Sequence, residues 1–87
     1  MPTLTKLVKL AWDSEVTPPM LSSADAIVAD MVSQEKTDGV WIKNGETAYG
    51  GQMNFTDQTA AEEYIARMTA AGAAVGRVLI GSSITDI

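Results

Sequence analysis

The tightest constraint in this sequence is the dipeptide Asn44-Gly45, set between Val40–Lys43 and the run Glu46–Phe55. Asn-Gly accepts positive φ at both central positions, which a two-residue type I′ hairpin turn requires. That loop predicts a register: Lys43 opposite Glu46, Ile42 opposite Thr47, Trp41 opposite Ala48 and Val40 opposite Tyr49. The Lys43–Glu46 pair carries opposite charges, as a cross-strand pair in this register should. Strand alternation then predicts Val40, Ile42, Tyr49, Met53 and Phe55 on one face, with Trp41, Ala48, Gln52 and Asn54 on the other. Gly50-Gly51 stands inside the second arm, where a bulge would slip the register.

The flanking segments supply the remaining elements. Thr3–Trp12 is rich in Leu, Val and Thr and reads as a strand. Asp13–Pro19 reads as a connector, the Pro18-Pro19 pair holding off helix until after it. Ser22 or Ser23 is the expected N-cap, with Asp25 in the first turn. Ala24, Ile27, Val28, Met31 and Glu35 then fall on one helical face, and Asp38-Gly39 ends the helix. Thr56 or Asp57 caps a second helix whose apolar stripe is Ala61, Tyr64, Ile65, Met68 and Ala71; Glu62 and Glu63 suit its dipole. Gly72 is the expected stop. Ala73–Ile84 reads as the last strand.

The order is strand, helix, strand, strand, helix, strand. Right-handed crossovers place the third strand beside the first, giving the sheet order 4-1-3-2 with both helices on one side. The prediction is a single α+β domain over residues 1–87, a ferredoxin-like βαββαβ split βαβ sandwich. The sheet then needs cover on both faces. Leu4, Val8, Leu10 and Trp12 alternate with Leu7 and Ala11, and Val75 and Leu79 alternate with Val78, Ile80 and Ile84. A chain of 87 residues buries only roughly 60–65% of its unfolded surface. A homodimer closing two sheets face to face answers both needs.

Composition removes function classes. With no cysteine there is no disulfide framework, thiolate metal site or cysteine nucleophile. With no histidine, histidine-ligated haem or zinc and a Ser-His triad at Ser22-Ser23 or Ser82-Ser83 are excluded. No carboxylate cluster has ligand spacing for a hard metal, so no metal is expected. A net charge of −5 argues against nucleic acid or an anionic membrane as partner. No leader or spanning pattern is visible, and a cytoplasmic location is expected.

Ala48-Tyr49-Gly50-Gly51-Gln52-Met53-Asn54-Phe55-Thr56-Asp57, followed by Ala60, Ala61 and Tyr64, resembles the YdhR-like monooxygenases of the dimeric α/β-barrel superfamily. Asp38-Gly39-Val40-Trp41-Ile42-Lys43 also resembles the strand that precedes this stretch in that family. The resemblance is motif-like over residues 38–68. It implies a homodimeric α/β barrel and cofactor-independent oxygenation of an aromatic or quinol-type small molecule. The lack of histidine separates the chain from histidine-assisted and haem-using relatives.

The candidate catalytic pair is Asn54 and Trp41. Trp41 would stack an aromatic ring, and Asn54 would donate to a developing oxyanion. Both readings compete with the plainer one, in which Trp41 fills a dimer core and Gln52 and Asn54 bond across it. Gln52, Tyr49, Tyr64 and Trp12 are the candidate substrate-binding groups, competing with roles in core packing. Arg67, and with it Lys6, Lys9 and Arg77, would bind a substrate carboxylate or phenolate, or else form surface ion pairs. Two function classes follow: a cofactor-free oxygenase, or a non-enzymatic dimeric module for a small apolar ligand or for assembly alone.

Overall fold

A computed structural model of the chain describes residues 3–13, 18–43 and 50–87. Its elements are β1 (Lys6–Trp12), α1 (Pro18–Ser33), β2 (Ile42–Lys43), β3 (Gly50–Phe55), α2 (Gln58–Ala74) and β4 (Leu79–Asp86). The strands form one antiparallel sheet in the order β2-β3-β1-β4, in which β2 is a two-residue fragment. This is a small α+β domain compatible with the ferredoxin-like arrangement. In β1, alternation works as expected: Val8, Leu10 and Trp12 are buried beside Met53 and Phe55 of β3. Helix α2 lies on that face, and α1 packs beside α2. Met31 of α1 is fully buried in the same core, with Ala24, Ile27 and Val28 packed against it.

The helix boundaries differ from expectation at three ends: the start of α1, its end at Ser33 instead of Asp38-Gly39, which leaves Glu35 beyond the helix, and the end of α2. Helix α1 begins at Pro18, so Ser22 and Ser23 lie inside it, and the Ser23 hydroxyl donates back to the Pro19 carbonyl at 3.3 Å. Proline needs no N–H partner in a first helical turn, and its fixed φ suits that position. The pair therefore starts the helix instead of delaying it. Helix α2 is capped by Asp57, whose carboxylate accepts from the Ala60 N–H at 2.8 Å. It then runs through Gly72 to Ala74, which moves the start of the last strand from Ala73 to Leu79. Gly72 is a packing residue: a Cβ there would lie 2.4 Å from Cζ3 of Trp12.

Both helices end in the same motif. After α2, Arg77 N–H donates to Gly72 O at 2.8 Å and Gly76 N–H to Ala73 O at 3.2 Å, with Gly76 at φ +76°. After α1, Lys36 N–H donates to Met31 O and Glu35 N–H to Val32 O, each at 3.0 Å, with Glu35 at φ +58°. These are Schellman closures, and the left-handed residue is ordinarily glycine. A side chain in that conformation costs about 1–2 kcal/mol, partly offset by the unfolded-state entropy that glycine adds. Glu35→Gly is expected to stabilise the fold by about 1 kcal/mol, raising Tm by roughly 4–8 °C for a domain this size. An unchanged or lower melting temperature would show that the Glu35 side chain contributes more than its strain removes.

The hairpin departs most from expectation. Ile42 faces Gln52, not Thr47, and Lys43 faces Gly51, not Glu46. The Asn44-Gly45 turn itself, with Tyr49, lies outside the described residues. Two long-range contacts accompany the observed register. Thr37, buried after α1, bridges to Phe55 and donates from its hydroxyl to the Asn54 carbonyl at 2.6 Å. The Trp41 ring then occupies the space where a Gly51 Cβ would be, its Nε1 only 2.1 Å from that position. Only a glycine leaves room for the indole at that point of β3. The register shift also changes faces. Ile42 lies on the helix-free side with Gln52, while Trp41 sits over Gly51 on the side of Leu10.

The helix-free face is more polar than the sequence suggests. Leu7, Lys9 and Ala11 of β1 pair with Asn54, Gln52 and Gly50 of β3, and with Thr85, Ser83 and Gly81 of β4. A bulge between Ala11 and Trp12 puts Leu79 opposite Trp12, and Ile84 pairs with Val8. Ile84 therefore packs against the core instead of widening an apolar patch on the open face.

Candidate functional site

The seven residues proposed from sequence do not form one constellation. Trp12 and Tyr64 belong to the core: Trp12 fits the notch at Gly72, and Tyr64, 3% exposed, stacks tilted against Phe55 with ring centroids 4.8 Å apart. Burial pushes the Tyr64 phenol up to about 12, so it stays neutral at any physiological pH. Tyr49 lies outside the described residues. Trp41 is 52% exposed on the opposite side of the sheet from Gln52 and Asn54.

Arg67 is committed elsewhere. Its guanidinium meets the Asp30 carboxylate at 2.7 Å and Glu63 at 3.4 Å, and Lys36 closes the chain onto Glu63 at 2.7 Å. This network ties α1, α2 and the segment after α1 together across half-exposed surface. The Lys36 hydrogen bond holds the Glu63 carboxyl below its ordinary value, and the Asp30 hydrogen bond holds Arg67 above its own. Such a network orders two helices and commits the Arg67 Nη1 to two carboxylates.

Gln52 and Asn54 remain together. They occupy alternate positions of β3 on the helix-free face, with Lys9 directly opposite Gln52 and Leu7 directly opposite Asn54. Asn54 sits where β3 gives way to the turn into α2. Its backbone carbonyl is taken by Thr37. Two carboxamides, the Lys9 ammonium and the hydroxyls of Ser83 and Thr85 make this surface rich in hydrogen-bond donors. Lys9 also forms no salt bridge among the described residues. The signal that singles out Lys9 is its parity in β1, one step from the buried Val8 and Leu10.

A second feature lies between the end of α2 and the start of β4. A depression of about 310 Å³ is lined by Thr69, Ala73, Gly76, Arg77, Val78 and Leu79. The Arg77 Nε is buried there without a hydrogen-bond partner. Among the described residues no group of three acids or other ligating side chains could hold a metal ion, and no helix is long and apolar enough to cross a membrane. No protein-family model matches the chain, and no curated protein matches it either.

Proposed function

We propose that the protein is a homodimeric small-molecule-binding module of the dimeric α/β-barrel kind, two copies meeting through the helix-free faces of their sheets. The observation that carries this reading is the composition of that face. It combines Leu7, Ala11 and Ile42 with the polar groups of Lys9, Gln52 and Asn54 in one register. Binding sites pair apolar lining with a few placed polar groups, and this face has both. The ligand chemistry that fits is a small aromatic or quinol-type molecule: the ring against the aliphatic side chains, its oxygen toward Asn54 or Lys9.

The oxygenase form of this reading comes from the family resemblance and from the position of Asn54 at a strand end. There the Asn54 amide donates to the oxyanion left when the substrate gives a proton to solvent; dissolved O2 is the oxidant, one oxygen atom bonding to the substrate carbon and the other leaving as water with the two hydrogens that carbon loses. Incubation with anthrone- and quinol-type substrates under oxygen tests it. Asn54→Ala is expected to cut turnover by about 10²-fold with the fold intact, as loss of one oxyanion donor does. Binding without turnover across the panel would leave the non-enzymatic module as the function. Sedimentation that gives the 9.2 kDa mass of one chain at every concentration would remove both.

A further inference from the structure

We infer that the free edge of β4 is a pairing site for the β4 of a second copy, joined antiparallel with Arg77 of each chain beside Asp86 of the other. This contact lies in the plane of the sheet and is separate from the face pairing proposed above.

In the order β2-β3-β1-β4, strand β4 bonds only to β1 among the described strands. From Val78 to Thr85 it carries no charge and no proline, the two devices that most simply block an edge. Val78 and Ile80 on this segment are 59% and 67% exposed.

The bulge decides which backbone groups point outward. The Ile87 N–H donates to Thr5 O at 3.0 Å, which marks Thr5–Ile87 as a hydrogen-bonded pair. Alternation along an antiparallel ladder then turns Thr85, Ser83 and Gly81 inward, and Asp86, Ile84 and Ser82 outward. Beyond the bulge the Val78 carbonyl accepts from Asp13 N–H at 2.9 Å, so Val78 points inward and Leu79 outward. The outward set therefore switches from even to odd numbers midway along the strand.

An antiparallel copy with Leu79 opposite Ile84 matches this switch on both halves. Each pair then joins two outward-facing residues, and both side chains lie on the helix-covered side, where Leu79 faces Trp12 and Ile84 faces Val8 within the protomer. The same register sets Arg77 opposite Asp86. Arg77 stands at one end of this edge, while at the other the Asp86 side chain is 82% exposed and bonded to Lys6 through one oxygen. The two ends of the edge are therefore of complementary charge, and a two-fold axis uses both.

Reversing one end tests the register. Arg77→Glu should weaken self-association about tenfold in sedimentation equilibrium, because two exposed pairs become two repulsions. The double reversal Arg77→Glu with Asp86→Arg should restore it. Because the chain has no cysteine, Ser82→Cys reports on the axis directly and should form an intermolecular disulfide under mild oxidation. An Asn54→Cys variant probes the sheet face in the same way, so the two contacts fail separately. Wild-type association in the Arg77→Glu variant, no rescue by the double reversal, or no cross-link at position 82 would each overturn the edge pairing.

Discussion

Trp12→Ala is expected to lower stability by about 3–5 kcal/mol, the usual cost of emptying a large buried aromatic site. A chain of 87 residues has a total stability of only about 4–13 kcal/mol, so this single change should remove a large share of it and lower the denaturation midpoint accordingly. The cost is high because Trp12 is the end of β1 that locks onto α2. Its ring lies where a Cβ of Gly72 would be, at 2.4 Å and 2.8 Å from Cζ3 and Cη2, with Arg77 O at 3.2 Å on the far side. In an ordinary helix interior Gly→Ala gains about 1 kcal/mol. Here the added methyl has backbone on one side and a buried indole on the other, and overpacking of that kind costs typically 1–3 kcal/mol. Gly72→Ala should therefore destabilise, and combining it with Trp12→Leu should cost less than the two changes summed. Denaturant midpoints of the four chains measure this directly. A Gly72→Ala variant more stable than the parent would show that the notch is not filled by Trp12.

Alkaline pH should remove about 3 kcal/mol through Tyr64. Its phenol titrates near 10 in an unfolded chain and is pushed up to about 12 by burial in the fold. The folded state thus holds the proton that the unfolded state releases. The contribution is complete below pH 10 and is lost as the pH rises from 10 to 12, at about 1.4 kcal/mol per unit. Tyr64→Phe keeps the ring against Phe55, 4.8 Å away between centroids, and should flatten stability over that window. The chain has two tyrosines, so the titration is best followed in a Tyr49→Phe background by absorbance near 295 nm. Tyrosinate appearing near pH 10 with native circular dichroism would contradict the burial of this hydroxyl.

Local chemistry and long-range packing divide the outcome between them. The sequence by itself determined what depends on neighbours one to four residues away. The alternation of Val8, Leu10 and Trp12 names the buried face of β1, the spacing of Ala61, Tyr64 and Met68 names the buried face of α2, and its start narrows to Thr56 or Asp57, of which Asp57 is the cap. Element order and handedness then sufficed for the sheet order, because few un-knotted arrangements of two helices and four strands exist. What only the tertiary structure decided are the places where a distant group overrules the local one. The Asn44-Gly45 turn predicts a register that Thr37 and the Trp41 ring on Gly51 displace, moving Trp41 away from Gln52 and Asn54 and dividing the candidate site. Gly72 reads as a helix stop, yet it is a socket for an indole sixty residues earlier in the chain. Arg67 reads as a spare cation until Asp30 and Glu63 are brought to it from two helices. Glycine is permissive in two ways, for unusual φ and for close approach, and sequence cannot tell which is in use. The neighbour that decides is brought near only by the fold.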